Sequence, residues 1–206
     1  MHARSTTIMA DTSRIDQGIQ FVQDQLLPAI MRIDGCRGLS LLVDRPTGRC
    51  VATSSWENER AMRASEDPIR PFREDFIATF GGISPSTEEW EVALMHRNHQ
   101  SRDGACARVT WLDGDASAVD GSVESFRSIL PALDALPGFC SASLLLNQEG
   151  GRAVGTVLYD SADALVQTRG QANALRSRVA EQSGAEVLEV EEFELAVAHL
   201  RIPELV

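Results

Sequence analysis

The chain has 206 residues and a net charge of −11, and all 19 of its basic residues are arginine. This acidic balance excludes the clustered basic surface that nucleic acids and anionic membranes require. No apolar run is long enough to span a bilayer, and residues 1–14 lack the apolar core of a secretory signal. We therefore expect a cytoplasmic protein whose four cysteines are reduced, with no nucleic-acid or membrane partner.

The first half of the chain is predicted to fold in the order β-α-β-β-α-β. Alternating apolar residues indicate strands at residues 4–9, 39–43, 50–55 and 89–96. Apolar residues at helical spacing predict a helix over residues 15–33. Pro68 and Pro71 predict that the second helical region consists of a short helix, a kink or loop, and a second helix over about residues 72–80.

The second half follows the same order of elements. Its predicted strands lie at residues 107–112, 142–147, 153–159 and 191–199. Its predicted helices cover residues 119–136 and about 162–182, and the second stretch is either one helix or a pair of helices. Ser161 is the expected N-cap of the second of these helices, and Gly184 is expected to mark its end.

The two halves are copies of one unit. Leu27-Pro28-Ala29 recurs 103 residues later as Leu130-Pro131-Ala132, and residues 88–93 (EEWEVA) recur in kind as residues 191–196 (EEFELA). We predict an α+β fold of two ferredoxin-like repeats, at residues 1–100 and 101–206. Each antiparallel sheet would carry helices on one face only, so the two bare faces are expected to pack face to face.

Two motifs at the strand–helix junctions resemble a known family. They are Trp56-Glu57-Asn58-Glu59-Arg60-Ala61 and, after Pro137-Gly138 and the next hairpin, Tyr159-Asp160-Ser161-Ala162-Asp163-Ala164. Both resemble the antibiotic-biosynthesis-monooxygenase-like family of the dimeric α/β barrel superfamily. The resemblance implies two units fused in tandem, which form an intramolecular dimeric α/β barrel within one chain.

The family resemblance also limits the chemistry. Members of the family include cofactor-independent oxygenases of aromatic polyketides and quinols, and haem-degrading enzymes. The haem-degrading pattern has Asn on the first strand with Trp and His on the second helix, and neither half of this chain has that set. The resemblance therefore implies no cofactor and a hydrophobic aromatic small molecule as the ligand.

Four residues are candidates for substrate binding, and each has a structural alternative. Trp56 and Tyr159 occupy the same repeat position and would either stack on a flat ligand or fill the core at the strand–helix corner. Arg73 would either meet an anionic ligand or pair with glutamates on a solvated helix face. Trp111, which the repeat offset places opposite Ile8, would line a pocket or belong to the core.

His96 is the candidate catalytic residue, as a general base that takes a phenolic proton. The alternative is a structural histidine at a strand end, because His199 holds the same repeat position. His96 and His99 also form an H-x-x-H pair, but they lie at a strand end that leads into a linker and lack a third ligand. We therefore predict no metal site.

Three classes of function remain open at this point. The first is a cofactor-independent monooxygenase that acts on a hydrophobic aromatic molecule, with the site expected in the first unit. The second is a small-molecule binding or sensing protein without turnover, and the third is a structural protein without a ligand. The sequence also leaves open whether the intramolecular pseudo-dimer associates further.

Overall fold

The computed structural model describes residues 1–200 and 203–206. Within these residues the strands are β1 (His2–Met9), β2 (Cys36–Val43), β3 (Arg49–Trp56), β4 (Ile83–Arg97), β5 (Cys106–Asp113), β6 (Phe139–Asn147), β7 (Arg152–Tyr159) and β8 (Glu186–Leu200). The helices are α1 (Ile15–Phe21), α2 (Leu27–Ile30), α3 (Glu59–Ala64), α4 (Glu66–Phe80), α5 (Ala116–Asp134), α6 (Ala162–Gln167) and α7 (Arg169–Ser183). A 3₁₀ turn (Thr12–Arg14) precedes α1, and a π-helical turn (Val22–Leu26) joins α1 to α2.

The strands are hydrogen-bonded in the order β1-β3-β2-β8-β5-β7-β6-β4, which closes into a barrel. The pairings of β1 with β3 and β4, and of β7 with β5 and β6, are all antiparallel. Each repeat thus contributes the β-α-β-β-α-β order that its sequence predicts. The α+β class and the fused dimeric α/β barrel are both confirmed.

The compact units are not continuous in sequence. One consists of Met1–Glu91 with the second part of β8 from Glu194, and the other consists of Val92–Phe193 with Pro203–Val206. This differs from a cut between residues 100 and 101, because β4 and β8 are 15 residues long and their second halves leave the unit in which they begin. The division at residues 100 and 101 remains a prediction about the sequence repeat.

A hydrophobic core lies between the sheet and the helices of each unit. In the first unit the core includes Ile8, Leu41, Trp56, Phe76 and Phe80. The core of the second unit has Leu112, Leu144, Tyr159 and Val179 at the positions equivalent to the first four of these. None of the helices in the described ranges is both long and apolar enough to cross a membrane.

The predicted order of a short helix, an interruption and a second helix is observed as α3 and α4, but the interruption lies at Ser65, so its predicted position at Pro68 and Pro71 is wrong. Helix α4 runs without interruption from Glu66 to Phe80, with Pro71 inside it. Pro68 lies in the first turn, where a backbone N–H has no partner within the helix in any case. Pro71 has no N–H, so one backbone hydrogen bond of the helix is missing. Burial of Ile69, Phe76 and Phe80 against the sheet keeps the helix intact.

The first strands of the two repeats are offset by 104 residues rather than 103. His2 pairs with Trp56 in the first unit, and Cys106 pairs with Tyr159 in the second. Because Tyr159 is 103 residues after Trp56 while Cys106 is 104 after His2, the loop between the first strand and the first helix is one residue shorter in the second repeat. The position equivalent to Arg4 is therefore Arg108, which a gapless repeat does not reveal.

Candidate functional site

A cavity lies between the sheet and the helices in each unit, and equivalent positions line the two cavities. Their volumes are about 40 Å³ in the first unit and about 50 Å³ in the second, enough for several water molecules. The first is lined by Arg4, Thr6, Leu26, Ile30, Leu39, Ala52, Ser54, Ile69, Arg73 and Phe76. The second is lined by Arg108, Thr110, Leu112, Phe126, Ile129, Leu133, Gly155, Val157, Tyr159, Ala172, Leu175, Arg176 and Val179.

Arg4 is a buried arginine in the wall of the first cavity. Its Nε and Nη2 donate to Oε1 of Glu89 at 3.0 and 2.6 Å. Nη2 also donates to the carbonyl of Met62 at 3.2 Å, and Nη1 donates to the hydroxyl of Ser65 at 3.3 Å. One guanidinium thus joins β1, β4 and the junction between α3 and α4.

Arg108 has the same role in the second unit. Its Nε and Nη2 donate to Oε1 of Glu192 at 3.3 and 2.9 Å, and Nη2 donates to the carbonyl of Leu165 at 2.7 Å. Its Nη1 donates to the hydroxyl of Tyr159 at 3.2 Å. The ring of Tyr159 thereby becomes part of the cavity wall, and burial raises the pKa of its hydroxyl.

The first cavity neutralises its own arginines. Glu66 at the start of α4 lies 3.1 Å from Arg4 and accepts a hydrogen bond from Arg73. The hydrogen bond from Arg73 is the main reason why the pKa of Glu66 is lowered. Glu66 and Glu89 therefore supply two carboxylates to the two arginines of this cavity.

The helix beside the second cavity begins with a positive charge, whereas the equivalent helix of the first unit begins with a negative one. The residue 103 positions after Glu66 is Arg169, which donates to Glu192 from Nε at 3.0 Å. Hydrogen bonds from Arg169 and, in smaller measure, from Arg108 lower the pKa of Glu192 against the effect of burial. The carboxylate of Glu192 is thus shared by Arg108 and Arg169, and Arg176 is a third arginine of this unit.

Arg176 is the equivalent of Arg73, but the position equivalent to Glu66, the carboxylate that pairs with Arg73, is Arg169. Its Nη1 atom is buried, and no group in the described part of the chain accepts a hydrogen bond from it. Burial, and repulsion from Arg108, lower the pKa of its guanidinium. A buried N–H without an acceptor costs about 1–3 kcal/mol, so an acceptor that enters this cavity would recover that cost.

The structure separates the predicted binding residues. Arg73 lines the first cavity and Tyr159 lines the second. Trp56 is 0% exposed in the first core, where its Nε1 donates to the hydroxyl of Ser54 at 3.0 Å, and it lines neither cavity. The roles of these three residues in ligand binding remain predictions.

Trp111 lies on the other face of β5. The strand register places it opposite Val154 and makes it equivalent to Thr7, so its predicted equivalence with Ile8 is wrong. Since side chains alternate along a strand, Trp111 points away from the cavity that Thr110 and Leu112 line. Its ring meets Phe193 edge-on at 6.3 Å.

His96 also lies outside the walls of both cavities. Its Nδ1 is 2.8 Å from Glu204 and its Nε2 is 2.9 Å from Asp134, and its ring stacks on Phe139. Burial lowers the pKa of His96, but the hydrogen bonds to the two carboxylates outweigh burial and raise it. These contacts describe a histidine in an ion-pair cluster, and its role as a base remains a prediction.

A separate cluster of potential metal ligands lies in the second unit. The ligand atoms of His99, Cys140 and Asp160 are all within 4.8 Å of one another. Hydrogen bonds from His99 and Cys140 lower the pKa of Asp160. Burial, followed by the contact with Asp160, raises the pKa of the Cys140 thiol to about 12.

Sequence reasoning missed two of the arginines that line the cavities, Arg4 and Arg108. The missed signal was the repeat itself: with one gap before the first helix, Arg4 aligns with Arg108. The change from Glu66 to Arg169 was visible without a gap. Neither observation points to a site until the fold brings the arginine of the first strand and the start of the helix together beside the cavity of each unit.

Two mycobacterial proteins are similar to the whole chain. No protein-family model matches the sequence. Uncharacterized protein Rv2557 of Mycobacterium tuberculosis (strain ATCC 25618 / H37Rv) is 50% identical over 207 residues, which cover 100% of this chain and 92% of that protein. Uncharacterized protein Rv2558 of the same strain is 51% identical over 208 residues, with 100% and 88% covered. The chain belongs to the Rv2557 family.

Solved structures with the antibiotic-biosynthesis-monooxygenase-like fold are similar to this chain. An anthrone oxidase-like protein matches with a TM-score of 0.68 at 14% identity, over 94% of this chain and 90% of that one. A ferredoxin-fold protein of Listeria monocytogenes 4b F2365, related to antibiotic biosynthesis monooxygenases, matches with a TM-score of 0.53 at 8% identity, over 95% of both chains. LmHde, a heme-degrading enzyme from Listeria monocytogenes, matches with a TM-score of 0.54 at 7% identity, over 95% and 99%. Identities this low establish the fold alone.

Proposed function

We propose that the second unit binds a small aromatic molecule with an acidic hydroxyl, of the hydroquinone class, and oxidises it with molecular oxygen and no cofactor. The observation that carries the proposal is the buried Nη1 of Arg176, which has no acceptor among the described residues. Arg176 is one of the residues that line an otherwise mainly apolar cavity. A ligand with an apolar body and one anionic oxygen matches both features.

The comparison between the two units favours the second cavity over the first. In the first, Arg73 is held by Glu66, and a ligand anion would have to displace a carboxylate of the protein. In the second, Arg169 replaces Glu66, and it adds a cation in place of an anion. The divergence between the second helical regions, together with Trp56, favours the first unit at the level of sequence, but Trp56 lines neither cavity.

The proposed reaction needs two contributions from the protein. A guanidinium beside the phenolic oxygen lowers the pKa of the ligand and favours its phenolate, while apolar walls exclude water. The electron-rich phenolate then supplies the electrons that reduce oxygen. In balance, a hydroquinone and one O₂ give a hydroxyquinone and one water, so one oxygen atom enters the ring and the other leaves as water.

A haem does not fit the residues of either cavity. Neither lining contains a histidine, cysteine or methionine that would ligate iron, and volumes of about 40 and 50 Å³ are far too small for a porphyrin. A cavity that holds one benzene ring measures about 150 Å³, so hydroquinone would enter the second cavity only as its walls move apart. The hydroxyl of Tyr159 already accepts a hydrogen bond from Arg108. The proposal therefore involves no haem, and it retains the expectation of a cytoplasmic protein without a nucleic-acid partner.

The test combines ligand binding with oxygen uptake at pH 7.5. Hydroquinone is expected to raise the melting temperature, since a ligand at 100 times its Kd adds about 2.7 kcal/mol of stability. Its dimethyl ether, which cannot ionise, is expected to give a much smaller shift. Arg176→Met should weaken hydroquinone binding by a factor of roughly 10–100, because a hydrogen bond to a charged group contributes about 1.5–3 kcal/mol.

Arg73→Met is the matched control, because it removes the equivalent arginine from the first unit and should leave hydroquinone binding unchanged. Oxygen uptake of one O₂ per hydroquinone consumed supports turnover, measured with an oxygen electrode. Binding without oxygen uptake would instead support a binding or sensing protein. Absence of any shift, or equal shifts for hydroquinone and its ether, would contradict the proposed site.

A further inference from the structure

His99, Cys140 and Asp160 converge on one point of the second unit. His99 Nε2 lies 2.9 Å from Oδ1 of Asp160, and the thiol of Cys140 donates to the same oxygen at 3.2 Å. In a tetrahedral zinc site with bonds of about 2.0–2.3 Å, neighbouring ligand atoms are roughly 3.3–3.8 Å apart. The three side chains therefore need only small movements to surround one ion.

The backbone fixes the cluster independently of the side chains. Cys140 occupies a bulge of β6, where the pairing with β7 shifts between Phe139 and Ser141. A bulge redirects a side chain, and bulges are frequent beside functional sites. The carbonyl of Cys140 accepts from the backbone N–H groups of Asn98 at 2.9 Å and His99 at 3.3 Å, which holds His99 next to the bulge.

The first unit carries a different pair at the same two positions. Its bulge residue is Arg37, and Arg37 lies 3.2 Å from Glu57, the equivalent of Asp160. A cation therefore faces this carboxylate position in the first unit. In the second unit the arginine is replaced by Cys140, which offers a metal ligand where the permanent positive charge has been lost.

We propose that His99, Cys140 and Asp160 bind a divalent transition metal of the zinc type. Imidazole, thiolate and carboxylate are the three ligand types that zinc takes in proteins, and three protein ligands leave a fourth position for water. His99 and Asp160 are each 36% exposed, so an ion can reach the cluster from solvent. The Nδ1 atom of His99 lies 3.4 Å from the side-chain oxygen of Asn98, a contact that orients the ring as in many metal-bound histidines.

The experiment is a titration of the metal-free protein with Co²⁺, which reports thiolate ligation through a sulfur-to-cobalt charge-transfer absorption. We expect one Co²⁺ per chain with this absorption, and its loss when Zn²⁺ is added. Cys140→Ser should abolish the absorption. His99→Gln, at a partly exposed position, should weaken Co²⁺ binding by roughly 100-fold or more, since even outer-shell changes cost 10–100-fold.

Cys36→Ser is the control for the cysteine variant, because Cys36 is a partly buried free cysteine of the first unit. It should leave the absorption and the stoichiometry unchanged, and circular dichroism should show that all variants are folded. Absence of the absorption in the unaltered protein would overturn the proposal. Its survival in folded Cys140→Ser, or an unchanged affinity in His99→Gln, would overturn it equally.

Discussion

Glu192→Gln is expected to destabilise the protein by about 2–3 kcal/mol, whereas the equivalent change Glu89→Gln is expected to cost about 1 kcal/mol. Glu192 accepts from both Arg108 and Arg169, so its loss leaves a buried guanidinium without its carboxylate. Glu89 accepts from Arg4, but Glu66 stays 3.1 Å from Arg4 when Glu89 is neutralised. The two variants make the same chemical change at equivalent positions, but the preceding helix begins with Glu66 in the first unit and with Arg169 in the second.

Urea unfolding at several pH values measures this difference. The pKa of folded Glu192 is lowered, so its stabilisation is present above the unfolded value of about 4.3 and is lost as the pH falls through the folded pKa. The gap between the unaltered protein and Glu192→Gln should therefore be full above about pH 5 and close in more acidic solution. Equal losses for Glu192→Gln and Glu89→Gln at neutral pH would contradict the proposed asymmetry.

Trp56→Ala is expected to cost about 3–5 kcal/mol, the range for removing a large aromatic side chain from a core. Trp56 is completely buried against the first core, and its indole N–H donates to Ser54. The substitution would leave a cavity, while the hydroxyl of Ser54 keeps its hydrogen bond to the carbonyl of Arg4. Because Trp56 lines neither cavity, hydroquinone binding by the folded variant in the second unit should be unchanged.

Urea unfolding at neutral pH gives the loss of stability, and the thermal-shift assay with hydroquinone gives the ligand response. Trp56→Phe keeps most of the apolar volume and should lose clearly less stability than Trp56→Ala. A Trp56 variant that keeps its stability but loses the hydroquinone shift would show that the indole binds ligand. That result would restore the first unit as the binding site.

The sequence repeat was sufficient to predict the fold. Alternation and helical spacing located every strand and helix to within a few residues, except where a segment is polar or contains proline. The first residues of β4, at 83–88, are mostly exposed and follow no apolar alternation, although they pair with β1. Helix α4 continues through Pro71 because its buried face, rather than local propensity, decides its length.

The candidate sites were beyond the reach of the sequence for geometric reasons. A one-residue difference in a loop hid the equivalence of Arg4 and Arg108. His99 was considered as a metal ligand with His96 as its neighbour in sequence, but the structure pairs it with Cys140 and Asp160 from two other strand ends. Contacts of this kind depend on strand register and a bulge, which composition and spacing do not reveal.

The central claim is that the replacement of Glu66 by Arg169 leaves Arg176 available to a ligand. Its most direct test is calorimetric titration of Arg169→Glu with hydroquinone. Arg169 is 55% exposed, so this variant should fold, and the new carboxylate should occupy Arg176 as Glu66 occupies Arg73. We expect hydroquinone to bind this variant at least tenfold more weakly, a loss of about 1.4 kcal/mol. Binding as tight as that of the unaltered protein would contradict it.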